Sequence, residues 1–299
     1  MSSEFTLPSF AKINWTLRIL GKREDGFHEL MTVFQTVSLC DRLSFRPSDR
    51  LGMTCNLKYM PTDGRNLVMK AATALREVFN ISDGAAIRLE KRIPSPGGLG
   101  GGSSNAATAL IGLAKLWQID AKDSELNEIA TTLGSDVPFF LQGGTAIGTG
   151  RGVAIEPMED LAERFLLIVT PKVRVSTRVA FERLNAPTLT NTDLNRILPV
   201  CRDEANSFDL RHSALINDFE ASVFAAYPEV GRVKQTLLEL GARNAAMSGS
   251  GASVFAIFDK IETRQTAIKA LDQESTWRKF AVATVSRSEY REALRISGR

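Results

Sequence analysis

The sequence predicts an α+β protein built as two domains. Three observations lead there. Segments of alternating apolar and polar residues, which read as strands, are interleaved with helical stripes, as expected around an antiparallel or mixed sheet. With 299 residues, the chain is near the upper limit for a single core. The polar run Glu156–Arg164, with Pro157 inside it, offers a junction and divides the chain into 1–158 and 159–299.

The totals exclude several functions. The 37 basic and 34 acidic residues nearly balance. No long run of one sign occurs, so neither a nucleic acid nor a membrane surface is expected as partner. Cys40, Cys55 and Cys201 are scattered, show no metal spacing and suit a reduced compartment. No signal-peptide pattern opens the chain, and no uncharged apolar run approaches the roughly 20 residues of a membrane span. A cytoplasmic protein is expected.

From Ala11 onward, Ile13, Trp15, Leu17 and Ile19 alternate with Lys12, Asn14, Thr16 and Arg18. This predicts a half-buried strand with Lys12 and Asn14 on its polar face. On this segment alone an ordinary solvated lysine is the simpler reading of Lys12. Residues 22–26 form a turn, signalled by Asp25-Gly26. Phe27 beside it reads as a packing residue. His28, one of two histidines, reads more readily as a structural hydrogen bonder than as a catalyst. Neither histidine belongs to a zinc-spaced pair, so no metal ligand is assigned. Strands are predicted at Met31–Ser38 and Leu43–Arg46. Asn66 precedes the helical stripe Leu67, Ala71, Ala74, Leu75 and Val78, where it can cap the helix. Residues 86–92 alternate again as a strand.

That strand delivers the chain to Ile93-Pro94-Ser95-Pro96-Gly97-Gly98-Leu99-Gly100-Gly101-Gly102-Ser103-Ser104-Asn105. Glycines without a Cβ let consecutive amides converge on one point, a cradle for phosphate. Ala106, Ala107, Leu110, Ala114 and Trp117 then recur at helical spacing, with Ser103 or Ser104 as the expected cap. A helix N-terminus aimed at the loop adds to the anion site. No Lys follows Gly102, so this is not a Walker A loop. The G-x-G-x-x-G spacing also fails, at Ser103.

A helix is predicted over Asp123–Leu133, ending at Gly134. Asp136 then precedes Val137-Pro138-Phe139-Phe140, where a helix cap and a partly desolvated general base look alike. Residues 143–152 hold a second glycine cluster, read as strand and hairpin geometry. The second half opens with a strand at Phe165–Val169. Helices follow at Thr177–Leu184, Ser213–Ala226 and Glu229–Leu240, and a glycine turn at 248–251 joins a strand at 252–258. A helix near Glu262–Leu271 and a strand near Phe280–Val285 close the chain.

Ala11-Lys12-Ile13-Asn14, the glycine-rich loop and Ser248-Gly249-Ser250-Gly251-Ala252, in that order, resemble the GHMP kinase superfamily. Asp25-Gly26-Phe27-His28, Arg65-Asn66-Leu67, the segment 134–140 and Asn217-Asp218-Phe219-Glu220 narrow the resemblance to its kinases of a cytidylated methylerythritol. The resemblance implies a first domain like ribosomal protein S5 domain 2 and a ferredoxin-like second domain. It implies ATP, with Mg2+, phosphorylating the 2-hydroxyl of a cytidine diphosphate-linked methylerythritol in non-mevalonate isoprenoid synthesis, by a monomer or weak homodimer. Pro94, Ser95, Pro96, Gly97, Gly98, Leu99, Gly100, Gly101, Gly102, Ser103 and Ser104 would wrap the phosphates. Asn66, Lys91 and Asn105 match positions near the nucleotide base and ribose. Phe27 and Phe181 match aromatics that sandwich cytosine, His28 the residue that reads its edge, and Asn14 and Thr177 positions lining the substrate. Asp136 would accept the hydroxyl proton, with Lys12 as its cationic partner. Two departures stand out. Phe27 replaces the usual Tyr, losing a hydroxyl. Pro96 removes an amide donor, so the phosphates are expected on residues 98–104. The alternatives are a kinase of another small alcohol, such as homoserine or mevalonate, and a non-catalytic nucleotide or RNA binder on the S5-like fold.

Overall fold

The computed structural model describes residues 4–184 and 186–295. In chain order the first half holds β1 (Phe5–Lys22), β2 (His28–Ser48), β3 (Gly52–Cys55), α1 (Leu67–Phe79), β4 (Gly84–Glu90), α2 (Gly101–Leu116), α3 (Asp123–Leu133), α4 (Phe139–Gln142), β5 (Thr145–Gly150) and β6 (Ala154–Pro157). The second half holds β7 (Leu166–Pro171), α5 (Thr177–Glu182), α6 (Asn191–Asn206), β8 (Ile216–Asn217), α7 (Glu220–Ala226), α8 (Pro228–Glu239), β9 (Asn244–Met247), β10 (Val254–Ile257), α9 (Ile261–Ala270), β11 (Trp277–Val282) and α10 (Arg287–Ala293).

Among the described residues the strands form two sheets. The first runs β3-β4-β2-β1-β8, with β5 on β2 and β6 on β5; the second runs β11-β7-β10-β9. β2 divides its free edge, pairing β4 through residues 42–48 and β5 through residues 30–35. The two predicted strands at 31–38 and 43–46 are thus one unbroken strand. The second glycine cluster forms the β5–β6 hairpin, as expected. Two segments of the second half return to the first. β8 pairs in parallel with β1 at Thr16 and Leu17, and α10 buries Tyr290 beside Phe140 and Phe139.

The core lies in three layers. The helices α1, α2 and α3 cover one face of the first sheet. The helices α5, α7, α8 and α9 cover one face of the second. The remaining faces pack on each other through Ile13, Trp15, Val33, Ile168, Phe255 and Ile257. Trp15 meets Phe255 edge-on, with ring centroids 5.4 Å apart. Gln35 locks this layer with a fully used buried amide. Its carbonyl accepts from Trp15 Nε1 and Thr145 Oγ1, and its nitrogen donates to the carbonyls of Thr36 and Val285.

This layering corrects the expectation for β1. Ala11–Leu17 is buried on both faces, not one, because the second sheet covers the apolar side while the glycine-rich loop and α4 cover the other. A solvated Lys12 is thereby excluded. Other boundaries also differ. α2 starts at Gly101 with Gly100, in the left-handed region, as its cap; Ser103 and Ser104 lie inside its first turn. The predicted helix at 213–226 splits, because the Asn217 side chain accepts from Phe219 N and donates to the carbonyls of Met247 and Gly249, holding β8 extended. α6, polar and carrying Pro199, and the seven-residue α10 are absent from the sequence-based expectation.

Because one apolar layer is shared by both sheets, Phe255→Ala should cost about 3–5 kcal/mol of stability. Urea unfolding should show both halves melting in one transition in the wild type. Two separated transitions there would contradict a shared core.

Candidate active site

The glycine-rich loop is held from behind through its carbonyls. Lys12 N donates to Leu99 O at 3.0 Å, Ser248 Oγ to Gly98 O at 2.9 Å, and Ser253 N to Gly97 O at 3.1 Å. Among the described residues, none of the amides of residues 97–103 donates to a protein acceptor. Carbonyls bound to the scaffold and amides left unpaired, at the start of a 16-residue helix, make an anion cradle. The Ser104 amide does not join it, since it donates to Gly100 O at 2.8 Å; the cradle ends one residue earlier than expected. Glycine is required at two positions. Gly98 has φ +72°, and a Cβ there would lie 2.0 Å from Ser248 O; Gly100 has φ +66°, and its Cβ would strike the Phe140 ring.

Lys12 and Asp136 meet in front of this cradle. Lys12 is 3% exposed, and its Nζ stands 3.6 Å from Asp136 Oδ2. Pro138 occupies the cap of α4, so the carboxylate is not the helix cap. Its side chain is 32% exposed, open to the cleft. Lys12 Nζ also donates to Asn14 Oδ1 at 2.8 Å, and Gly249 N donates to the same oxygen at 2.9 Å. Asn14 Nδ2 donates to Thr32 Oγ1. Asn14 therefore ties the lysine, β2 and the 248–250 turn together.

Lys12, Asn14, Phe27, His28, Pro94–Ser103, Asp136, Thr177 and Phe181 all line one cleft of about 840 Å³. Thr177 Oγ1 and Ser250 Oγ share a hydrogen bond of 2.9 Å. At the aromatic end, His28 stacks on Phe181, with centroids 5.1 Å apart. Phe27 is 50% exposed, and the Arg151 guanidinium covers its ring at 3.7 Å. Burial first, and the Lys22 charge second, lower the His28 pKa below the usual 6.5.

Asn66, Lys91, Ser104 and Asn105 do not line the cleft; their side chains are already engaged behind it. Asn66 caps α1 at Val68 N and donates to Pro61 O. The hub for the others is Asp41, 0% exposed. Its carboxylate accepts from Lys91 Nζ, Asn105 Nδ2 and the amides of Arg92 and Ile93. Ser9 Oγ accepts from Asn105 Nδ2 and meets Ser104 Oγ. This network fixes the root of the loop and the start of α2 at once.

Comparison with known proteins places the whole chain. Two family models match, GHMP kinases N terminal domain over residues 66–144 and GHMP kinases C terminal over 202–275. A 4-diphosphocytidyl-2-C-methyl-D-erythritol kinase of Chlorobium phaeobacteroides (strain BS1) is 42% identical, over 88% of this chain and 92% of its own. One from Thermodesulfovibrio yellowstonii is 37% identical over 88% and 93%. A crystal structure of a 4-(cytidine 5'-diphospho)-2C-methyl-D-erythritol kinase superposes with a TM-score of 0.75 at 32% identity, covering 94% of this chain and 99% of that one.

The chain belongs to the 4-diphosphocytidyl-2-C-methyl-D-erythritol kinase family of GHMP kinases.

In this member of that family, Asp41, Arg151 and Glu29 escaped the sequence reading. Asp41 sits within a continuous strand, where a lone acid between Cys40 and Arg42 carries no spacing signal. Arg151 follows a glycine in what reads as a plain hairpin turn. Glu29, buried, accepts from Gly150 N at 2.9 Å and from Arg23 Nη1 at 2.7 Å, linking two turns far apart in sequence.

Two outcomes follow from this site. Asp41→Ala leaves Lys91 buried without its counter-charge and should cost about 3–5 kcal/mol of stability, partly recovered by adding Lys91→Met; chemical denaturation reads both. An imidazole whose folded pKa lies below its unfolded 6.5 favours the fold above pH 6.5 and opposes it as the pH falls through the lower value. NMR titration should therefore put the His28 midpoint below 6.5, and His28→Gln should flatten the loss of stability in that acid window. A midpoint at or above 6.5 would contradict the burial of this ring.

Proposed function

We propose that the protein transfers the γ-phosphoryl group of ATP to the 2-hydroxyl of 4-diphosphocytidyl-2-C-methyl-D-erythritol, in non-mevalonate isoprenoid synthesis. The single observation that carries this is the Asp136 carboxylate, paired with buried Lys12 and sharing one cleft with the undonated amides of the glycine-rich loop.

Phosphoryl transfer asks the protein mainly for alignment and charge compensation. The amides of residues 98–103 and the N-terminus of α2 bind the β and γ phosphates. The substrate hydroxyl attacks the γ phosphorus; the bond to the β–γ bridging oxygen breaks and ADP leaves. Asp136 takes the hydroxyl proton, and the Lys12 ammonium beside it compensates charge on the oxygen that attacks. Asn66, Lys91 and Asn105 serve the nucleotide indirectly, by holding α1, the root of the loop and α2. Magnesium bound with ATP would neutralise phosphate charge. The cleft suits it with few protein donors, since Ser103 offers one hard oxygen there and the phosphates and water would supply the rest. The cytosine ring would enter between Phe27 and Phe181, with His28 moving from its stacked place to meet the base edge. We further propose the division of the chain at 158/159 and a monomeric or weakly dimeric protein in the cytoplasm.

A coupled ADP-release assay tests the reading. Asp136→Ala should lose about 10²–10⁴ in turnover while ATP binding stays near the wild-type value; wild-type turnover in that variant would overturn the assignment. Uncytidylated methylerythritol, homoserine and mevalonate should be poor substrates. Efficient turnover of any of them would favour a different alcohol.

A further inference from the structure

The cleft carries more positive charge than the chemistry at its catalytic end uses. Its lining includes the cations Lys12, Lys22, Arg151 and Arg178 and the carboxylates Asp136 and Glu182. Lys12 is paired with Asp136, and Arg178 with Glu182 at 2.7 Å. Lys22 and Arg151 have no carboxylate partner among the described residues. Both belong to the aromatic end, where the charge of Lys22 is felt at His28.

Arg151 is also held in place. Its hairpin turn is bound at Gly150 N by the buried Glu29 carboxylate, whose other oxygen accepts from Arg23 in the turn that carries Phe27. One acid thus clamps both turns. The guanidinium carbon then lies over the Phe27 ring, 3.7 Å from its centroid. Among the described residues that guanidinium makes no hydrogen bond or ion pair, so its N–H groups are open to a ligand in the cleft. An unpaired guanidinium on a turn whose backbone is held, beside an aromatic ring, is suited to an anion covalently attached to a planar base.

We infer that Arg151 binds the diphosphate that joins the nucleoside to the acceptor alcohol, and so makes the cleft selective for nucleoside diphosphate adducts over bare nucleosides. This rests on the proposed function only for the identity of the adduct. Bidentate contact with a phosphate demands the planar fork of arginine, which lysine lacks.

The test separates this role from mere support of the Phe27 ring. Wild type, Arg151→Gln and Arg151→Lys are titrated calorimetrically with cytidine and with cytidine diphosphate, while an unhydrolysable ATP analogue fills the glycine-rich loop. The wild type should bind the diphosphate about tenfold or more tightly than cytidine. Arg151→Gln should erase that gap and leave cytidine affinity unchanged, and Arg151→Lys should restore only part of it. The KM for the cytidylated substrate should rise in Arg151→Gln while the KM for ATP holds. Equal weakening of both ligands, or no change in either, overturns the inference. Failure of the wild type to phosphorylate the cytidylated alcohol would instead sink the proposed function; the gap between the two ligands would still decide the role of Arg151.

Discussion

The site depends on the direction in which one short stretch of backbone points. Residues 97–99 give their carbonyls to Ser253, Ser248 and Lys12. A peptide unit with its carbonyl tied to the scaffold turns its N–H the opposite way, so the row of bonds behind the loop produces the row of free donors in front. Unpaired buried amides are costly; here the cost is retained because the donors face a cleft in which a polyanion can satisfy them. The glycines make the arrangement possible sterically. At Gly98 the backbone approaches the Ser248 carbonyl so closely that no side chain fits.

The same three bonds explain why the cleft needs both halves of the chain. Two of the anchoring groups, Ser248 and Ser253, belong to the second half. So does Gly249, whose amide fixes the Asn14 carbonyl and through it Lys12. Their positions relative to β1 are set by the sheet-on-sheet layer around Trp15 and Phe255. A large apolar interface of this kind does not act as a hinge. Rearrangement on substrate entry is therefore assigned to the aromatic end, where the His28 side chain lies on the ring face of Phe181.

Much of this was legible in the sequence, and what was not has physical reasons. The glycine-rich loop, the helix behind it and α3 are local features, written in spacing and composition. Alternation in β1 identified the polar face but not its fate. Periodicity tells which residues share a face; it does not tell whether another layer covers it, so the burial of Lys12 and Asn14 emerged only from the fold. Asp41 is the sharper case. Its partners, Lys91, Arg92, Ile93 and Asn105, lie at least 50 positions along the chain, and nothing beside it in sequence signals them. The cap of α2 was misread because serine is the better cap by propensity. A serine cap at 103 or 104 would have left the glycines outside the helix. Starting at Gly101 instead adds the first-turn amides to the cradle.

The origin of the cation distinguishes this site from a phosphate loop of the Walker type, where the lysine belongs to the loop itself. Here the lysine comes from β1, and the same residue binds the loop by its main chain, Lys12 N to Leu99 O. One residue therefore sets both the position of the donors and the position of the charge. Any shift of β1 moves them together, so their separation is preserved while the strand adjusts. Asn14, two residues on, extends this to the second half by accepting from both Lys12 Nζ and Gly249 N. Electrostatic stabilisation in phosphoryl transfer depends on groups already aimed before the charge moves. Hanging donors, cation and the opposing loop on two residues, Lys12 and Asn14, of the buried stretch Ala11–Leu17 satisfies that requirement without a dedicated lysine in the loop.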